Sequence, residues 1–187
     1  MKKIQTRVFL ILLLLAFTTI ACRLNIGGPK PDQEILVSPD SADQIIENLN
    51  SVSENTLEGG PFALTFTQDQ LTSYLSYEVD TSAYGITNPK VLLEDGQIVV
   101  YGQLEQNLIT ANIKLILKPY IDPSGVLNMN LASVDLGPIP APDSLLSSLS
   151  NTIDQSLQQA FVEIPDGYQI TSIEIVDGVM TISAQKF

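Results

Sequence analysis

The chain has 187 residues, with 9 Lys and Arg against 21 Asp and Glu, no His, no Trp and a single Cys. A formal net charge of −12 repels nucleic-acid phosphates and anionic headgroups. Without His, and with one Cys, the chain cannot build a Ser-His-Asp or Cys-His catalytic set, an internal disulfide or a zinc site of soft ligands.

Lys2, Lys3 and Arg7 precede an unbroken apolar run from Val8 to Phe17, followed by the short residues Thr18, Thr19 and Ala21. This is the charged, apolar and cleavage-site order of a secretory signal, and the run is too short for a comfortable membrane span. The single cysteine, Cys22, stands where the run stops. The ending T-I-A-C resembles the bacterial lipobox. That resemblance implies a diacylglycerol on the Cys22 sulfur, cleavage just before it and, often, a further acyl chain on the new N-terminus. Two or three chains anchor stably where one is marginal, at about 0.8 kcal/mol per buried methylene. An ordinary secreted protein with an incidental cysteine, or an uncleaved signal anchor, are the alternatives. The expected location is the extracytoplasmic face of the cell membrane or outer membrane, and Arg23 in place of Asp is compatible with outer-membrane sorting.

The sequence divides into a signal peptide (1–21), a lipidated N-terminus and flexible tether (22–40) and one domain (41–187). The tether, RLNIGGPKPDQEILVSP, carries Gly27, Gly28, Pro29, Pro31 and Pro39 without sustained periodicity; Ile35 to Val37 could alternatively pair as an edge strand. Fully stretched, it would reach roughly 55 Å. A capping signature S-A-D-Q at Ser41, followed by Ile45, Ile46, Leu49 and Val52, predicts a short amphipathic helix to about Val52. FALTF predicts a strand from Phe62 to Phe66. Thr67 to Gln70 is a second capping box, with Phe66 and Leu71 placed as a hydrophobic staple and Leu71, Tyr74 and Leu75 on the buried side of the helix it opens.

From Lys90 the apolar period becomes two. Asp95-Gly96 predicts a type I′ hairpin, since both central residues need positive φ. Glu94 then faces Gln97, Leu93 faces Ile98 and Val91 faces Val100. If Gln106-Asn107 is the next turn, Leu104 faces Ile109, Gly102 faces Ala111, Val100 faces Ile113 and Ile98 faces Leu115. All of these lie on one face, whereas a one-residue slip would put Asn112 and Lys114 there. After a turn at DPSG, the apolar parity Leu127, Met129, Leu131 switches to Val134, Leu136, which predicts a β-bulge near Ala132 or Ser133. Residues 143–161 carry Leu145, Leu149, Ile153, Leu157 and Phe161 at steps of four, predicting the longest helix, with one narrow apolar stripe. Asp177-Gly178 closes a last hairpin, with Ile175 opposite Met180 and Ile173 opposite Ile182. The fold class is α+β.

FTQDQLTSYLSYEV before the meander, VDLGPIPAPDSLLSSL leading into the long helix and EIPDGYQITSIEIVDGVMTISAQ at the end are together similar to the bacterial TULIP-like families, including the YpmS-like and LmeA-like proteins. The likeness spans most of residues 62–187. Gly137, Pro140, Leu145, Leu149, Pro165, Gly167, Asp177 and Gly178 carry it. It implies a curved antiparallel sheet, meander plus C-terminal hairpin, wrapped around a long amphipathic helix and enclosing an apolar groove for lipid. The groove candidates, on an inner face that is core first and ligand wall second, are Val91, Leu93, Ile98, Val100, Gly102, Ile109, Ala111, Ile113, Leu115, Leu149, Ile153 and Leu157. Gly102 and Ala111, a small pair on a bulky face, would let a helix or ligand approach the backbone, or would merely let the sheet curl onto its core helix. The phospholipase activity credited to some LmeA-like proteins does not transfer, because no motif for it is present.

No catalytic, metal or cofactor pattern stands out. Adjacent carboxylates such as Glu94-Asp95 fall in turns, no phosphate-cradling glycine loop or EF-hand pattern is present, and Tyr84, Tyr101, Tyr120 and Tyr168 are dispersed as polar-rim residues would be. Two non-enzymatic expectations remain: a lipoprotein that binds or carries a lipid or other apolar molecule, or a cell-envelope interaction module with a filled core and a protein or glycan partner.

Overall fold

The computed structural model describes residues 24–55, 60–81, 85–106, 109–138, 140–141, 146–147, 149–151 and 167–187. The signal segment, Cys22, Ile153 and Leu157 lie outside the described residues, as does most of the helix expected over 143–161; within it, 146–147 and 149–151 are helical. The elements in chain order are β1 (Leu24–Gly27), α1 (Pro39–Asn55), β2 (Phe62–Thr67), α2 (Gln68–Tyr77), β3 (Ile86–Glu94), β4 (Gln97–Gln106), β5 (Ile109–Ile121), β6 (Leu127–Asp135), β7 (Tyr168–Val176) and β8 (Val179–Lys186). The domain is α+β, built on a five-stranded sheet and a three-stranded sheet. The first is the β3–β6 meander with β1 added; the second has the order β2-β8-β7. The C-terminal hairpin is thus paired with β2, not with the meander.

Local chemistry accounts for most element ends. Asp95 and Gly96 have φ of 49° and 72°, Asp177 and Gly178 of 49° and 79°, so both hairpins turn as Asp-Gly predicts. Thr67 and Gln70 form a reciprocal capping box at the start of α2. The register of β5 on β6 shifts between Ile116 and Leu117, which skips Ala132 and is the expected bulge. α1 begins earlier than expected: Ser38 caps it, its Oγ accepting the Ser41 N–H at 3.1 Å, with Pro39 at the first helical position, where a missing N–H costs nothing.

The β3–β4 pairing is as predicted, but the β4–β5 pairing is displaced by two residues. Val100 faces Leu115, Gly102 faces Ile113, Leu104 faces Ala111 and Gln106 faces Ile109, leaving 107 and 108 between the strands. The face assignment survives because a shift of two preserves the side-chain period; only the partners change. Cysteines introduced at Val100 and Leu115 are therefore expected to form a disulfide under mild oxidation, and the pair at Val100 and Ile113 is not. Crosslinking of the second pair alone, read by non-reducing gel mobility, would contradict this register.

The expectation of a free tether over 22–40 gives way over its described part. Leu24 to Gly27 pairs in parallel with Ile109 to Ala111, on the same edge of β5 that β6 occupies further along. Where β6 leaves and β1 begins, two glycines cross: a Cβ on Gly137 would stand 2.6 Å from the Gly28 Cα, and one on Gly28 would stand 2.7 Å from the Asn112 carbonyl oxygen. Only glycines permit that approach. The segment then runs over the outer face, where Ile35 is buried with Leu92, Val99 and Tyr101. Ile35 to Val37 is not a strand, and Leu36 and Val37 are exposed.

β3 is an edge strand of its sheet, and its free edge is closed piece by piece. Asn88, with φ of 51°, sits at a register shift, and Pro89 presents no N–H. The Val91 N–H donates to Thr72 Oγ1 at 2.9 Å, and that hydroxyl points back at the Val91 carbonyl at 3.4 Å. The Leu93 carbonyl accepts the Gly178 N–H at 3.0 Å, while the Gly96 N–H donates to the Ile175 carbonyl at 3.2 Å. The two Asp-Gly turns are thus hooked into each other, one from each sheet. Next to Thr72, Ser73 Oγ accepts the Ser38 N–H at 3.1 Å and donates to the Asp69 carbonyl at 2.7 Å, joining α2 to the start of α1.

Candidate functional site

The face of the large sheet that carries the groove candidates is divided lengthwise. Toward the Asp-Gly turns, Val91, Leu93 and Ile98 join Leu117 and Leu127 in one buried cluster with Phe66, Ile170, Ile175, Met180 and Ile182 of the small sheet and Ile45 of α1. Val91 and Leu93 are each only 2% exposed. These three candidates are therefore core, with the small sheet as their cover. Toward the β4–β5 connection, Ile113 and Leu115 form a second cluster with Leu104, Leu136 and Leu149, flanked by Ile86, Val100, Leu131, Val134 and Ala141. Leu149, from the helical residues after Ala141, is the cover on this half among the described residues.

Gly102 is buried but is not an opening. A Cβ there would stand 2.7 Å from Cγ2 of Ile86, so the β3 side chain fills the space above the glycine. Its partner is Ile113, not Ala111, and Ala111 is buried opposite Leu104. The small pair expected from the sequence is thus two small residues in successive rungs, one of them occupied by Ile86. Ile109 is placed only by its backbone, which pairs with Gln106 and with Leu24. Leu104, Leu136 and Ile86 were not among the sequence candidates. Leu104 and Leu136 had the signal, since one shares the parity of Val100 and the other follows the bulge; Ile86 precedes the register shift and had none.

The opposite face is also covered at Asn112. Asn112, 4% exposed, donates from Nδ2 to the Gly28 carbonyl at 3.4 Å, and Lys114 Nζ stands 5.5 Å from the Tyr101 ring centroid. Tyr101 is buried, and so is Tyr168, whose hydroxyl donates to the Gly60 carbonyl at 3.2 Å and whose ring lies 5.4 Å from that of Phe62. A rim position is therefore excluded for these two; Tyr120 is exposed, and Tyr84 lies outside the described residues.

Two depressions on the described surface are lined chiefly by polar or turn residues. One of about 330 Å³ lies at the hooked turns, between Gln33, Gln68, Glu94, Asp95 and Asp177. The other, of about 270 Å³, lies between Ser76, Asp80, Thr87 and Asn88. Among the described residues no three His, Cys, Asp or Glu side chains converge to hold a metal ion, and no helix is long and apolar enough to cross a membrane. The DPSG turn is organised by Asp122. The Val126 N–H, then the Ser124 hydroxyl, with further help from the Ser124 N–H and the Asn128 amide, holds its carboxyl below the ordinary carboxylate pKa. A depressed folded-state pKa means the turn is fully supported above the ordinary value and loosens as pH falls through the lowered one. These partners lie between Ser124 and Asn128, so the carboxylate ties the turn to the start of β6. No protein-family model matches the chain, and no curated protein matches it.

Proposed function

We propose that the chain is a non-enzymatic extracytoplasmic lipoprotein, held to its membrane through acyl chains on Cys22, that takes a lipid or other apolar ligand against the half of the sheet bordered by Leu104, Ile113, Leu115 and Leu149. The observation that supports this reading is the division of the apolar face into two buried clusters, the second of which has Leu149 and Ala141, and not the small sheet, over it among the described residues. The TULIP-like likeness, with a curved sheet around a long helix, belongs to the same proposal. Removing a sixteen-carbon chain from water is worth roughly 12 kcal/mol, and a bilayer offers nearly the same gain. A carrier therefore needs only to match the membrane, and a modest apolar wall suffices.

A second reading is an interaction module whose core is filled by its own side chains. Ile86 seated over Gly102 favours it. A soluble form beginning at Arg23 separates the two, since starting at Ser41 would strip β1, Ile35 and the Ser38 cap. It is expected to retain diacyl lipid in native mass spectrometry. Ala111→Phe, which fills the proposed half, should lower that loading severalfold, and Lys118→Glu, at an exposed position, should not. Circular dichroism must show each variant folded. A folded wild-type form that carries no lipid and takes up no fluorescent phospholipid from vesicles would favour the interaction module.

A further inference from the structure

The position of β1 says more about the membrane than the presence of a cysteine does. β1 runs parallel to β5 with Leu24 opposite Ile109, so the chain enters the sheet at the end where β4 passes to β5. Cys22 precedes Leu24 by two residues, and an extended chain covers at most about 3.6 Å per residue, so a chain anchored at Cys22 can hold that end no more than roughly 7 Å from its anchor. We infer that the domain meets the bilayer with this end of the large sheet, its strands rising away from the surface. The inference rests on the acylation of Cys22 proposed above.

Two observations agree on what lies near and far. The hooked Asp-Gly turns, the DPSG turn and β7 are gathered at the opposite end: the Ile170 N–H donates to the Gly125 carbonyl at 3.2 Å, and the Ile175 carbonyl accepts from Gly96 at 3.2 Å. β4 alone, at about 3.3 Å per residue, separates the two ends by some 30 Å. The small sheet therefore stands away from the membrane, and the cluster of Leu104, Ile113, Leu115 and Leu149 stands next to it. The half of the apolar face that the small sheet leaves to Leu149 is the half a lipid leaving the bilayer meets first.

The test uses the full chain processed in a bacterial host, checked by mass for acyl groups, and inserted in phosphatidylcholine vesicles carrying a headgroup-linked energy acceptor. An acylated Cys22 sulfur leaves an introduced cysteine as the single free thiol, so donor dyes are placed at Glu105→Cys near the entering end or at Ser124→Cys in the far turn. Energy transfer should be severalfold higher from Glu105→Cys. Acylated protein giving equal transfer from the two sites overturns the orientation and leaves the lipoprotein reading standing. Protein without acyl mass overturns both. Gly28→Val, whose Cβ would press on the Asn112 carbonyl, should bring the two efficiencies together in a variant that remains folded by circular dichroism. A gap that persists there overturns the part assigned to β1.

Discussion

Cys22→Ser is expected to abolish incorporation of labelled palmitate altogether and to leave the precursor uncut. A thiolate is a far better nucleophile than a serine hydroxyl, and the thioether to diacylglycerol is what licenses cleavage in lipoprotein processing. The acidic surface offers anionic headgroups no compensating attraction, so the protein should also leave the membrane fraction if any of it is released. The alternatives give different patterns. An ordinary secreted protein would be cut equally with Cys or Ser and never labelled; an uncleaved anchor would stay at precursor mass in both forms. Equal labelling of variant and parent would sink the lipoprotein reading.

Thr72→Val is expected to cost about 3 kcal/mol in urea unfolding, which is unusually large for the loss of one hydroxyl. The side chain is fully buried and nearly isosteric with Val, so packing is kept. What is lost is the partner of the Val91 N–H at 2.9 Å and of the Val91 carbonyl at 3.4 Å, both on the free edge of β3. An orphaned buried donor costs about 1–3 kcal/mol, and here an acceptor is orphaned beside it. Thr72→Ser keeps the hydroxyl and should cost about 1 kcal/mol, the value of a buried methyl group. If the Val and Ser variants fall together, the hydroxyl is not what holds α2 to β3.

The sequence made some of this fold readable and hid the rest for identifiable reasons. Asp95-Gly96, Asp177-Gly178 and Thr67 to Gln70 are short signals whose geometry is local, and they are found where expected. The bulge at Ala132 was readable because it breaks a period of two. The pairing of β4 with β5 was not, since Val100 opposite Ile113 and Val100 opposite Leu115 satisfy the same alternation; only the turn length decides, and that length is not written in the apolar pattern. The N-terminal segment was misread because Gly27, Gly28 and the prolines look like linker punctuation. In the structure Gly28 is there so that two backbones can cross, a requirement that involves Gly137, more than a hundred residues away. Among the groove candidates the face was readable for Val91, Leu93 and Ile98, and what covers it was not. Their neighbours are Ile175, Met180 and Ile182, whose own strands have no sequence mark telling which sheet they join.

The hooked turns also impose an order on biosynthesis. β3 is made well before residues 177 and 178, yet the Leu93 carbonyl finds its partner only when Gly178 arrives. Until then one edge of a growing sheet lies bare, of the kind that recruits strands from neighbouring chains. Pro89, the irregularity at Asn88 and Thr72 all precede Leu93 in the chain, so the parts of the edge that they close need nothing from the C-terminal hairpin.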